Sequence, residues 1–95
     1  MAEIGKKFDN DKPEWSLFPL VSLKQILLVL MFGKKKYGAN NWMKLENAPE
    51  RYYNALMRHM TAWWGGESID PESGYSHLAH AGCCLIFLLW FEEQK

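Results

Sequence analysis

The chain has ninety-five residues, which suit one domain, and a formal net charge of zero at pH 7. Its one basic cluster, Lys34-Lys35-Lys36, is too short for the electrostatic footprint of a duplex DNA or RNA binder, so that class is excluded. At 48% apolar and 15% aromatic, with five Trp, the chain carries more hydrophobic surface than a small monomer hides. Chains this short bury only about 60–65% of their unfolded surface, so subunits sharing a core, as a homo-dimer or homo-tetramer, are expected.

Residues 1–18 are predicted to form an irregular arm. Asp9, Asn10, Asp11 and Pro13 are turn formers, and Trp15, Leu17 and Phe18 are placed to pin the arm onto the body. The opening MAEIGKKFDNDKPEW has no apolar core of the kind a signal peptide needs, so none is expected.

A first helix is predicted from near Pro19 to Gly38. Leu23, Ile26, Leu27, Leu30 and Met31 fall at i, i+3, i+4, i+7 and i+8, one apolar stripe. The three lysines occupy its last turn, where the helix dipole favours cations. The segment FGKKKYGANNW follows: Lys35 is placed to meet phosphate, Tyr37 or Trp42 to stack on a base, and Asn41 to read a base edge. A helix end with a surface loop and a packed-down Trp42 explains the same residues.

A second helix is predicted from Asn47 to Trp64, ended by Gly65-Gly66. Asn47 as N-cap, Pro49 and Glu50 spell a variant capping box. Its two Tyr, its two Trp (Trp63 and Trp64) and the apolar residues between them share a broad face that reads as core. Arg51, Asn54 and Arg58 share the opposite face, and guanidinium groups suit bidentate phosphate recognition. A solvated face is the plainer account of that stripe.

A third helix is predicted from Ser76 to about Glu93, its polar residues confined to the first two turns. It is apolar on every side beyond Cys84, which suits burial against several neighbours. The stretch from Leu78 to Phe91 falls short of the ~20 residues that cross a bilayer, so no membrane association is expected. Cys83 and Cys84 are adjacent, which is poor disulfide geometry in a helix, and read as reduced buried thiols. The architecture expected is all-α: three main helices behind an irregular arm, in a single domain spanning 1–95.

Polar chemistry gathers between the second and third helices. Glu67-x-x-Asp70 sets two carboxylates about a turn apart and is the candidate metal pair, for Mg²⁺ or Mn²⁺. Ordinary turn chemistry, with Asp70 closing an Asx turn, explains it as well. His59, His77 and His80 are the acid/base candidates, because imidazole titrates near neutrality; hydrogen bonding to loop carboxylates is their plainer role.

Taken in order, KFDNDKPEWSLFP, FGKKKYGANNW and RYYNALMRHMTAWWGGESIDPESGYSHLAHAGCC resemble the phage-associated family of dATP/dGTP diphosphohydrolase N-terminal domains. That family is similar to the MazG-like all-α NTP pyrophosphohydrolases. The resemblance implies a helical oligomer that hydrolyses a purine (deoxy)nucleoside triphosphate to monophosphate and pyrophosphate with Mg²⁺, in the cytoplasm of an infected bacterium. The metal motif of the MazG-like enzymes is ExxE on one helix and ExxD on the next. Glu67-x-x-Asp70 has the second form, and no ExxE stands upstream of it. The scarcity of acids leaves a second expectation: a non-catalytic sponge that sequesters a (cyclic) nucleotide immune signal, needing no metal. A plain oligomeric interaction protein is the third.

Overall fold

The computed structural model describes residues 4–95. It contains α1 (Leu20–Tyr37), α2 (Ala48–Trp64) and α3 (His77–Glu93), with short 3₁₀ turns at Trp15–Leu17 and Asn41–Lys44. Among the described residues the only bridge pairing is an isolated antiparallel one between Ile69 and Ser76. The all-α architecture expected from the sequence is the one observed. The expected arm begins at residue 1; its first three residues lie outside the described ones.

Helix α3 is the central element and packs on both α1 and α2. Its sequence makes this possible. Ala79, Ala81, Cys83 and Cys84 are small and buried, so neighbouring backbones approach closely. Gly82 carries the closest approach: a Cβ there would stand 2.7 Å from Ile26 Cδ1 and 3.1 Å from Ile26 Cγ1. The core joins Val29 of α1 to Ala79, Cys83 and Phe87 of α3, with Trp42 and Tyr52 packed against it. Trp42 stacks on Phe87 (centroids 4.3 Å apart, 13° between planes), and Trp90 meets its edge at 5.1 Å. Aromatic pairs of this kind add about 0.5–1.5 kcal/mol each beyond their buried area. The Tyr52 hydroxyl donates to the Trp42 carbonyl at 3.3 Å.

The helix ends follow their sequence signals, with one exception. Gly38, at φ 96°, donates its N–H to the Lys34 carbonyl and stops α1. Gly65 donates its N–H to the Thr61 carbonyl and Gly66 donates to the Trp63 carbonyl, which stops α2. The Ser76 hydroxyl accepts the Leu78 N–H at 3.1 Å and caps α3. Asn47 is the exception. It sits before α2 in the left-handed region, at φ 54°, with no side-chain cap bond. An N-cap side chain reaches its donors from an extended backbone. Asn47 serves instead as a residue that tolerates the left-handed turn into the helix.

Two further expectations are corrected. Trp15, Leu17 and Phe18 do not pin the arm down; they are 68%, 75% and 54% exposed. Trp15 and Phe18 pack edge-to-face on each other instead. The arm has no periodic stripe that would seat it in a groove. Trp64 is not a core residue either, at 82% exposed. One residue past Trp63 on a helix is a rotation of about 100°, enough to carry it off the packed face. Leu85, Ile86 and Leu89 of α3 also stay exposed within a single chain. No helix among the described residues is long and apolar enough to cross a membrane.

Candidate functional site

The C-terminal half of α2 and the N-terminal half of α3 lie side by side, and this brings all three histidines together. His59 Nδ1 is 2.9 Å from His77 Nδ1. The His59 ring also stacks on His80, with centroids 4.5 Å apart and 9° between planes. The positions that permit this are 59 on α2 and 77 and 80 on α3, the last two nearly one turn apart and facing the same neighbour.

The loop between the two helices supplies the carboxylates. Its backbone closes on itself: Asp70 N–H donates to the Tyr75 carbonyl, Gly74 N–H to the Asp70 carbonyl, and His77 N–H to the Ser68 carbonyl. Gly66 and Gly74, at φ 104° and 78°, make the two bends that other residues rarely adopt. Glu67 Oε1 lies 2.6 Å from His77 Nε2. Asp70 Oδ2 accepts from the Ser73 hydroxyl at 2.8 Å and from the Ser73 N–H at 3.1 Å. The Ser73 hydroxyl is 2.6 Å from His80 Nε2, and Asp70 Oδ2 lies 3.5 Å from that nitrogen. Two chains of polar contacts result, Glu67–His77–His59 and Asp70–Ser73–His80, joined where the outer imidazoles stack.

These contacts set the charge states. Burial pushes the His59 imidazole below its ordinary pKa of 6.5, and the neighbouring His80 and His77 add to this. Burial lowers His80 likewise, with Asp70 pulling against it. For Asp70, burial opposes ionisation, but the two Ser73 hydrogen bonds and the nearby imidazoles outweigh it and hold the carboxyl below its ordinary range. The outer imidazoles are therefore neutral at pH 7 and Asp70 is ionised. Burial pushes the Cys83 thiol up to about 12 and Cys84 to about 11, so neither is a nucleophile at neutral pH.

A cleft of about 860 Å³ opens beside the histidines, within the range of small-molecule sites. Helices α1 and α2 contribute its sides, and His80, Cys83, Cys84 and Phe87 of α3 also line it. Arg51, Asn54 and Arg58 line it from α2, together with His59. Tyr37, Asn41 and Trp42 line it from the end of α1 and the turn that follows. Its charged lining is Lys34, Lys36, Arg51 and Arg58 against Asp70 and Glu72, so cations prevail.

A family model described as dATP/dGTP diphosphohydrolase, N-terminal, matches residues 2–95. The chain belongs to that family. A relative named dATP/dGTP diphosphohydrolase, from Salmonella phage PMBT28, is 36% identical over 91 residues, covering 96% of this chain and 31% of the relative. The chain thus spans about a third of the length of that relative. No solved structure matches it.

Several residues singled out in the sequence of this family member meet in the cleft: Tyr37, Asn41 and Trp42 with Arg51, Asn54, Arg58, His59 and His80. Three others stand apart from it. His77 is buried behind His59, at 4% exposed, and Glu67 lies behind His77. Lys35 is exposed and not part of the lining. Its neighbour Lys36 lines the cleft, paired with Glu72 of the loop and 5.0 Å from the Tyr37 ring centroid. That pairing holds the Lys36 ammonium above its ordinary pKa. Trp42 has one face committed to Phe87. Ser73, Lys36 and Glu72 were not among the sequence candidates. Ser73 stands three residues after Asp70, an Asx-turn spacing that could have pointed to it.

Glu67 and Asp70 do not fit a Mg²⁺ pair within one chain. Each carboxylate is engaged by a different histidine chain. Among the described residues no three His, Cys, Asp or Glu groups are arranged to hold a metal ion.

Proposed function

We propose that this chain binds a purine deoxynucleoside triphosphate in the cleft and takes part in its hydrolysis to monophosphate and pyrophosphate. One observation carries the reading. Arg51 and Arg58, with Lys36, share a single cavity with two neutral imidazoles and with Asn41 and Asn54. Guanidinium groups bind phosphate oxygens in pairs of hydrogen bonds. Asparagine amides both donate and accept, which suits a base edge. A neutral imidazole beside the phosphates can take a proton from water and return it to a leaving oxygen. The family description and the relative's name support the substrate class and the reaction.

The test is to incubate the pure chain with dATP, dGTP, other NTPs and cyclic nucleotides, with and without Mg²⁺ or Mn²⁺. The mixture is then resolved by chromatography before and after heat denaturation. Monophosphate and pyrophosphate from dATP or dGTP support the proposal. A nucleotide withdrawn intact and recovered on denaturation would replace hydrolysis by sequestration. No depletion of any nucleotide would defeat both.

A further inference from the structure

We infer that Glu67 is a positioning residue: through His77 it holds His59 as the Nδ1–H tautomer, leaving the Nε2 lone pair of His59 bare. The protons along one line of contacts can be counted. A carboxylate only accepts, so at 2.6 Å from Glu67 Oε1 the His77 Nε2 carries the hydrogen. A neutral His77 then has a bare Nδ1. Only one proton fits between two nitrogens 2.9 Å apart, so it belongs to His59 Nδ1. Neutral His59 is left with an unprotonated Nε2, which has no hydrogen-bond partner among the described residues.

The second line ends the same way. Ser73 has one hydroxyl proton, and Asp70 Oδ2 at 2.8 Å takes it. His80 Nε2, 2.6 Å from the Ser73 oxygen, must then donate. That leaves His80 Nδ1 bare. Two stacked rings that line the cavity therefore each carry a bare acceptor nitrogen.

The lining thus offers donors and acceptors from different side chains. Arginine and lysine donate to phosphate oxygens. Bare imidazole nitrogens accept instead from N–H or O–H groups, such as an exocyclic amine, a sugar hydroxyl or an attacking water. Glu67 is the residue that keeps His59 in this role, although it does not line the cleft. The tautomer follows from the hydrogen bonds with both imidazoles neutral; its consequence for nucleotide binding rests on the function proposed above.

Long-range ¹H–¹⁵N spectra of the chain with labelled imidazoles read the tautomers directly. The three histidines are assigned with His59→Gln and His80→Gln. In the unmodified chain at pH 7.5, His59 should show a protonated Nδ1 and a bare Nε2. Glu67 is exposed, so Glu67→Ala should fold; His59 should then shift toward the Nε2–H form and nucleotide affinity should fall roughly two- to tenfold, the span of one neutral hydrogen bond. Glu67→Gln keeps an acceptor oxygen and should restore the original tautomer. An Nε2–H His59 in the unmodified chain, or an unchanged His59 in Glu67→Ala, overturns the inference. A tautomer shift in a chain that binds no nucleotide upholds the positioning role and defeats the functional reading instead.

Discussion

The Nδ1 atoms of His59 and His77 stand 2.9 Å apart, which joins α2 to α3 through a hydrogen bond between two imidazoles. Such a bond exists only while at least one ring nitrogen is bare. Protonating both rings would set two N–H groups against each other inside a partly buried cluster.

Stability should therefore depend on pH with a definite sign. The folded-state pKa values of His59 and His80 lie below the ordinary value of 6.5. Below pH 6.5 the unfolded chain takes up protons that the folded chain refuses. The melting temperature should be flat above about pH 7.5 and fall as the pH drops through 6.5 toward the folded-state values. Asp70, whose folded pKa is also depressed, adds a further loss when the pH falls below its ordinary range. The double variant His59→Gln/His80→Gln should flatten the first part of this profile and leave the second. A wild-type melting curve that rises on acidification would contradict the assignment.

Arg58 lines the cleft, is exposed, and has no ion-pair partner among the described residues. Arg58→Ala should weaken nucleotide binding by roughly 1.5–3 kcal/mol, the range for hydrogen bonds to a charged group. The melting temperature should hardly move. Calorimetric titration with dGTP, beside a thermal melt, reads both. A large melting loss with unchanged affinity would make Arg58 structural.

Lys36 is held by Glu72, and both line the cleft. A phosphate must compete with that carboxylate for the ammonium. Glu72→Gln should raise nucleotide affinity by about a few-fold at low salt, and the gain should shrink as salt screens the charges. Lower affinity in the variant would show that Glu72 itself contacts the ligand.

The Ser76 cap supports α3 where His77 and His80 emerge. Ser76→Ala should cost about 1 kcal/mol, a fall of roughly 4–8 °C in Tm for a domain of this size. Urea or thermal melts measure it. No loss would mean that the bridge at Ile69 and the loop bonds alone define the start of the helix.

Much of the fold was legible because its signals are local. Pro19, Gly38, the Gly65-Gly66 pair and Ser76 each act on the backbone within a turn of themselves, and the helices begin and end where these residues stand. Asn47 misled because its sequence context suits a cap, while its actual use is a left-handed turn that no neighbour reveals. The candidate site was legible as a set of residues and not as a set of partners. Which carboxylate serves which histidine depends on how α2 and α3 lie together and on the loop closing over Gly66 and Gly74. Lys35 and Lys36 differ by about 100° of rotation on α1, and only the packing of α1 on α3 decides which of them reaches the cleft. Trp42 could stack on a base or on Phe87 by chemistry alone; the 3₁₀ turn places it on Phe87.

The proposed site requires that guanidinium and imidazole groups converge on one nucleotide. Amide and side-chain NMR mapping with dGTP and dATP tests this most directly. Titration should shift the resonances of Arg51, Asn54, Arg58 and His59 of α2 together with Asn41 and His80, saturating at one common affinity. Shifts confined to other surfaces, or none at millimolar nucleotide, would contradict it.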